Sequence, residues 1–260
     1  MEKYVKNLCT GNYCFFHASR KGIEGKIDPN HNDSLKTRDF GDGFYIGNKK
    51  NQTIALVNSC PEPHLYEIKI PLSALNNDNI VKLDKDAWMY YVLYNRKLME
   101  PLKDTEFYKY YADLDKTADF IVGPIADDVF SSCIKDFKLG IITDYMFKQL
   151  IDCYSYGNQI TVKTQKACDQ LVIYNEKILT AEDKKNALET KSMTRKDQEH
   201  DYVRRRAELM KERKGLYIGE IFEEIREGKI GVPKSIEKQK NIEFETPIHD
   251  NKEDWEHELF

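Results

Sequence analysis

The chain has 260 residues, 40% hydrophobic and 32% charged, with a formal net charge of −4. That supplies apolar chain for one sizeable core and a smaller appendage. Through Ile178 there are 23 basic and 24 acidic residues, and beyond it 17 and 20, so neither part has the bulk positive charge of a dedicated nucleic-acid binder. The six cysteines (Cys9, Cys14, Cys60, Cys133, Cys153 and Cys168) form no Cys-x-x-Cys pair and no ligand spacing with His, so no metal is expected. Residues 1–7 lack the apolar core of a signal peptide, and no apolar run approaches the ~20 residues of a membrane helix. The expectation is a cytoplasmic, reduced, soluble protein with no membrane partner.

Residues 1–178 read as an α+β domain of short strands and helices. Cys14-Phe15-Phe16-His17 is apolar and aromatic, as a buried strand is. Gly43 to Ile46 is a short strand entered through a glycine turn. Leu65 to Ile70 alternates with period two and ends at Pro71. Trp88 to Leu98 reads as an aromatic-rich helix. Phe120-Ile121-Val122 is a buried strand. Thr143 is placed to cap a helix carrying Phe147, Leu150, Ile151 and Tyr154 at i, i+3, i+4 and i+7, closed by Gly157. Gln159 to Val162 and Gln170 to Tyr174 are the last strands.

The character changes after Ile178. Residues 179–240 read as a charged helical hairpin: Lys184 to Lys214 with a thin stripe of Val203, Ala207 and Met210, then Ile218, Ile221, Phe222 and Ile225 after Gly215. Residues 241–260 hold seven acids and one lysine, an acidic tail expected to be flexible, with Trp255 and Phe260 as partner anchors.

Three segments carry chemistry. His17-Ala18-Ser19 lies upstream, Gly41-Asp42-Gly43-Phe44-Tyr45 in the middle, and Gln170-Leu171-Val172-Ile173-Tyr174 downstream. Cleaving a nicotinamide–ribose bond produces an oxocarbenium-like sugar. A protein doing so must hold the amide, stack on the pyridinium and stabilise the positive ribose. Backbone groups and a small hydroxyl suit the first task. A tyrosine ring suits the second, and a polar acceptor the third. The glycines permit tight turns beside a ligand, and no third glycine opens a helix as in a Rossmann fingerprint.

These three segments resemble the motifs of the diphtheria-toxin and poly(ADP-ribose)-polymerase-like ADP-ribosyltransferases, the His-Tyr-Glu clade. The chain is more closely similar to a family of largely uncharacterised bacterial proteins of that fold. That likeness includes Arg38-Asp39-Phe40-Gly41-x-Gly43-Phe44-Tyr45, the stretch from Asp86-x-Trp88 to Asn95-Arg96, and Gly123-Pro124-Ile125-Ala126-Asp127-Asp128. The resemblance covers about residues 12–178. It implies a split β-sandwich core and NAD as substrate, with no metal. His17 would bond the adenosine ribose, the Ala18 backbone the nicotinamide amide, and Tyr45 would stack on the ring. Thr53 takes the place of a small hydroxyl residue, and Gln170 that of the catalytic glutamate. Ser19, Gly43 and Phe44 complete the binding segments.

The chain departs from that pattern. Ala18 replaces a glycine and Leu56 an aromatic. Gln170 carries no charge and takes no proton. A charged hydrogen bond exceeds a neutral one by about 1–2 kcal/mol, so cleavage is expected to slow roughly tenfold. Chain elongation, which must activate a sugar hydroxyl, is expected to suffer more. The expectation is therefore a toxin-like mono-ADP-ribosyltransferase, of toxin–antitoxin or phage-defence type, acting on a protein or nucleic acid. The alternatives are an NAD glycohydrolase and an inactive NAD or ADP-ribose binding module. The C-terminal helices would bind an antitoxin or regulatory protein, or cover the site.

Other candidates have plainer readings. Asp127-Asp128 are read as caps or pocket-rim residues before metal ligands or an acid–base pair. Asn95-Arg96 serve either phosphates or structure. Arg204-Arg205-Arg206, with Glu208 and Glu212 one turn on, read as a solvated salt-bridged face before a nucleic-acid grip. Trp88, Tyr90, Tyr91 and Tyr94 read as core before a base-stacking platform.

Overall fold

The computed structural model describes residues 12–30, 38–71, 74, 79–125, 128–151 and 157–232. Strand β1 (Asn12–Ser19) is followed by β2 (Phe44–Gly47), α1 (Lys50–Ala55), β3 (His64–Pro71) and β4 (Ile80–Lys82). Then come α2 (Lys85–Asn95), α3 (Glu106–Thr117), β5 (Phe120–Pro124), α4 (Asp128–Lys138), α5 (Asp144–Leu150), β6 (Asn158–Val162) and α6 (Gln165–Cys168). Strand β7 (Val172–Ile178) and the helices α7 (Ala181–Leu209) and α8 (Ile218–Arg226) follow. The architecture is α+β, as the sequence predicts.

The seven strands run in the order β4-β5-β6-β2-β1-β3-β7. Among the described strands only β4 and β5 pair in parallel. The sheet is uneven. Strands β1 and β3 pair along eight residues, from Asn12 opposite Pro71 to Ser19 opposite His64. Among the described residues, strands β1 and β2 meet at one pair alone, Phe16 with Gly47. The sheet thus falls into a half of β1, β3 and β7 and a half of β2, β6, β5 and β4, joined at a single rung. Beyond Phe16 the β2-facing edge of β1 has no partner strand among the described residues.

The strand alternation sets the cores. Phe15 packs with Phe44, Ile46, Tyr66 and Ile68, while Phe16 packs with Ile54, Leu65 and Leu179. A larger aromatic core holds Trp88, Tyr91, Phe130 and Phe147. Trp88 is buried there, with its indole N–H donated to the Pro124 carbonyl, so the aromatic stretch is core. Thr143 caps α5 as predicted, accepting from the Met146 amide, whereas Tyr154 lies outside the described residues.

The charged segment after Ile178 forms the two helices α7 and α8, and both pack on the sheet and its helices. Ala187 is buried with Phe16, and Tyr202, Leu209, Ile221 and Ile225 are buried in the aromatic core. The connection between them docks on α5: Thr143 donates to the Lys214 carbonyl at 2.6 Å, and Asp144 accepts from the Leu216 amide at 2.7 Å. Arg204 and Arg205 pair with Asp201 and Glu208 as the expected salt-bridged face, whereas Arg206 reaches Asp136 on α4 and Glu212 pairs with Lys214. The acidic tail with Trp255 and Phe260 lies outside the described residues.

Candidate functional site

His17 stands one residue past the Phe16–Gly47 rung. Its Nδ1 lies 2.7 Å from the Tyr45 carbonyl, bridging the strands where the ladder stops. A carbonyl only accepts, so Nδ1 carries the proton. Burial pushes the imidazole pKa down to about 4, so the ring is neutral at neutral pH and Nε2 is left as an acceptor. The ring against His17 is Phe44, with centroids 4.2 Å apart. Tyr45 meets His17 through its backbone; its own ring packs against the aromatic core.

The loop before β2 is closed on itself. The Tyr45 hydroxyl donates to the Gly41 carbonyl at 2.6 Å and accepts from the Phe40 amide at 3.2 Å. Burial raises the pKa of this phenol far above its ordinary value, so it stays protonated. Gly43, with φ +152°, has Thr161 Cγ2 2.3 Å from where a Cβ would stand. Gly41, with φ +67°, faces Asn95 Oδ1 at 2.5 Å in the same way. Both positions admit only glycine.

From beneath, Arg96 pairs with Asp39 at 2.6 Å, and the Asn95 amide group donates to the Tyr91 carbonyl. Lys163 donates to the Phe40 carbonyl at 2.8 Å and pairs with Asp115 at 2.6 Å. Desolvation lowers the Lys163 pKa against the raising effect of Asp115. Arg96 therefore ties the end of α2 to the loop that carries Tyr45, while Asn95 bonds within its own helix. Above the loop, the Arg38 guanidinium carbon lies 5.5 Å from the centre of the Tyr45 ring.

Thr53 is buried on α1, donates its hydroxyl to the Lys49 carbonyl at 3.0 Å, and would lie 3.3 Å from a Cβ at Gly47. It stands at the single β1–β2 rung with its oxygen left as an acceptor. Ala18 lies two residues past that rung, on the open edge of β1. Ser19 turns into its own loop, donating to the Gly22 carbonyl at 2.9 Å. Leu56 is exposed.

Gln170 is not brought to this group. It precedes β7 in a turn, and its side-chain amide reaches only the Lys166 carbonyl at 3.4 Å. Strand β7 starts at Val172 opposite Lys69, and Lys69 stands opposite Cys14, three residues from His17. At about 3.3 Å per residue, Gln170 begins more than ~10 Å of strand away.

The carboxylate in line with His17 is Glu176. His17 pairs with Tyr66 on β3, and Tyr66 with Glu176 on β7, so the three side chains share one face. The His17 and Tyr66 rings are 6.2 Å apart. Tyr66 donates its hydroxyl to Glu176 Oε1 at 2.7 Å, and His64 Nδ1 meets the same oxygen at 2.7 Å. These two hydrogen bonds hold the carboxyl pKa below its usual range. Oε2 has no partner among the described residues. The signal for Glu176 was its Tyr-x-Glu step inside an apolar strand, which becomes informative only once the register with β3 is known.

Among the described residues no group of three His, Cys, Asp or Glu side chains is placed to hold a metal ion, and no helix is long and apolar enough to cross a membrane. Asp127 lies outside the described residues, and Asp128 opens α4. Burial raises the thiol pKa of Cys14 to about 11 and of Cys168 to about 12, which leaves both unreactive.

The family model of DUF3990, described as a protein of unknown function, matches residues 14–173. No curated protein and no solved structure matches the chain. The match holds the β1–β2 split and ends inside β7, short of Glu176.

Proposed function

The chain belongs to the DUF3990 family, whose description names no activity, and from the split sheet we propose that it is an NAD-dependent ADP-ribosyltransferase acting on a macromolecular acceptor. What carries the reading is the row His17–Tyr66–Glu176 beside the open edge of β1. It sets an imidazole acceptor and a carboxylate on one face, next to unpaired backbone groups.

The chemistry follows from these groups. The open β1 edge at Ala18 offers N–H and C=O to the nicotinamide amide, and Thr53, already donating to Lys49, accepts from it. His17 Nε2 accepts from a ribose hydroxyl. Glu176 Oε2 accepts from the 2′-hydroxyl of the other ribose. Its charge stabilises the positive sugar as the C1′–N bond breaks and nicotinamide leaves with the bonding electrons. The acceptor atom then bonds C1′, and its proton passes to the carboxylate. With Glu176 in this role, the reason to expect slow cleavage from Gln170 falls away.

A second reading has water as the acceptor, because the Glu176 side chain is 48% exposed. Labelled NAD incubated with the protein and a cell extract separates the two. A labelled macromolecule supports transfer, free ADP-ribose alone supports hydrolysis, and intact NAD refutes both.

A further inference from the structure

We propose that Arg38 binds the diphosphate of the dinucleotide and that its guanidinium, resting on the Tyr45 ring, takes the place a pyridinium would take. The inference deepens the NAD reading and rests on it.

Arg38 is poised for such a role. Its guanidinium lies 5.5 Å from the Tyr45 ring centre, within the range of a cation–π contact. Among the described residues it has no carboxylate partner. The adjacent Asp39 carboxylate is already taken by Arg96 at 2.6 Å. Arg38 is also near enough to His17 for its charge to disfavour protonation of that ring, so the guanidinium stands close to both side chains.

The consequence is electrostatic. The Tyr45 ring packs against the aromatic core, so a stacked ligand needs the space that Arg38 covers. A pyridinium and a guanidinium repel one another there. A ligand with a positive ring alone must displace Arg38 and gains nothing in return. A dinucleotide also brings two phosphate charges, which pair with the displaced guanidinium through forked hydrogen bonds. The arrangement favours dinucleotides over free nicotinamide-like cations.

Calorimetry on the full chain tests this with ADP-ribose, inorganic pyrophosphate and N-methylnicotinamide, against Arg38→Ala and Arg38→Lys, with thermal melting as the folding control. Arg38→Ala is expected to weaken ADP-ribose and pyrophosphate at least tenfold while N-methylnicotinamide binds as well or more tightly. Arg38→Lys is expected to restore part of the loss. ADP-ribose binding unchanged in Arg38→Ala, or an equal loss for all three ligands, overturns the role of Arg38 and leaves the NAD reading standing. Pyrophosphate binding that needs Arg38 in a chain that binds neither NAD nor ADP-ribose keeps the anion site and refutes the NAD reading.

Discussion

Tyr66 donates its hydroxyl to Oε1 of Glu176 across 2.7 Å, and a bulge in β7 sets which residue receives it. Ile68 pairs with Ile173, but Glu67 pairs with Asn175, so Tyr174 is the extra residue. An unbulged strand continuing from Ile173 would put Asn175 opposite Tyr66. Bulges re-aim side chains in this way. Here the bulge faces a carboxylate, and not an amide, toward His17.

Tyr66→Phe removes that donor and the acceptor of the Ile23 amide at 2.8 Å. The protein should lose about 1–2 kcal/mol, and the Glu176 pKa should rise toward the ordinary range. The folded carboxyl is held low by Tyr66 and His64. The stabilisation is therefore present above the ordinary carboxylate range and is lost as pH falls through the folded value. An NMR titration of Glu176 unmoved by Tyr66→Phe would contradict this.

His17 acts in the same direction for a different reason, because burial favours its neutral form. Its folded pKa of about 4 lies below the ordinary 6.5, so between these values the unfolded chain binds more protons. Stability should then fall as pH drops from about 6.5 to 4, by up to about 3 kcal/mol. Denaturant melts across that window should show the slope, and His17→Ala should flatten it. An unchanged slope in the variant would place the buried neutral group elsewhere.

Gly43→Ala drives a Cβ to within 2.3 Å of Thr161 Cγ2 at φ +152°. Strain and overlap together should cost about 2 kcal/mol or more, read as a lowered melting midpoint. A neutral substitution would mean that the loop accommodates a side chain there.

The pair of Arg96 with Asp39 joins α2 to the loop that carries Tyr45. Arg96→Leu leaves Asp39, which is largely buried and whose carboxyl pKa burial already raises, without its cation. NAD affinity should fall several-fold with a loss of about 2 kcal/mol in stability, at the lower end for breaking a pair, since this one is partly exposed. Asp39→Asn, which keeps an acceptor for the Arg96 Nε–H, should recover much of the affinity. Affinity lost equally in both variants would give Asp39 a direct role.

Much of the fold is legible locally. The β1 aromatics, the alternation of β3 and the Thr143 cap are short-range patterns, and each appears within a few residues of its predicted place. The glycine loop is legible for the same reason: two positive-φ turns need two glycines. What is not legible is pairing. That β1 and β2 meet at one rung depends on strands far apart in sequence. So does the register of β7, where the sequence points to Gln170 as the residue opening an apolar strand. The strand begins later, at Val172, and the bulge at Tyr174 decides which side chain faces His17. The charge of α7 likewise hides Ala187, Tyr202 and Leu209, single buried positions that fasten a polar helix to the core.

NAD turnover by Glu176→Gln and Gln170→Ala, measured as nicotinamide release by the full chain, tests the central claim most directly. The account predicts a fall of about tenfold in Glu176→Gln, the size of exchanging a charged for a neutral hydrogen bond to the positive sugar, and a change under about twofold in Gln170→Ala. Full turnover in Glu176→Gln, or its loss in Gln170→Ala alone, would contradict it.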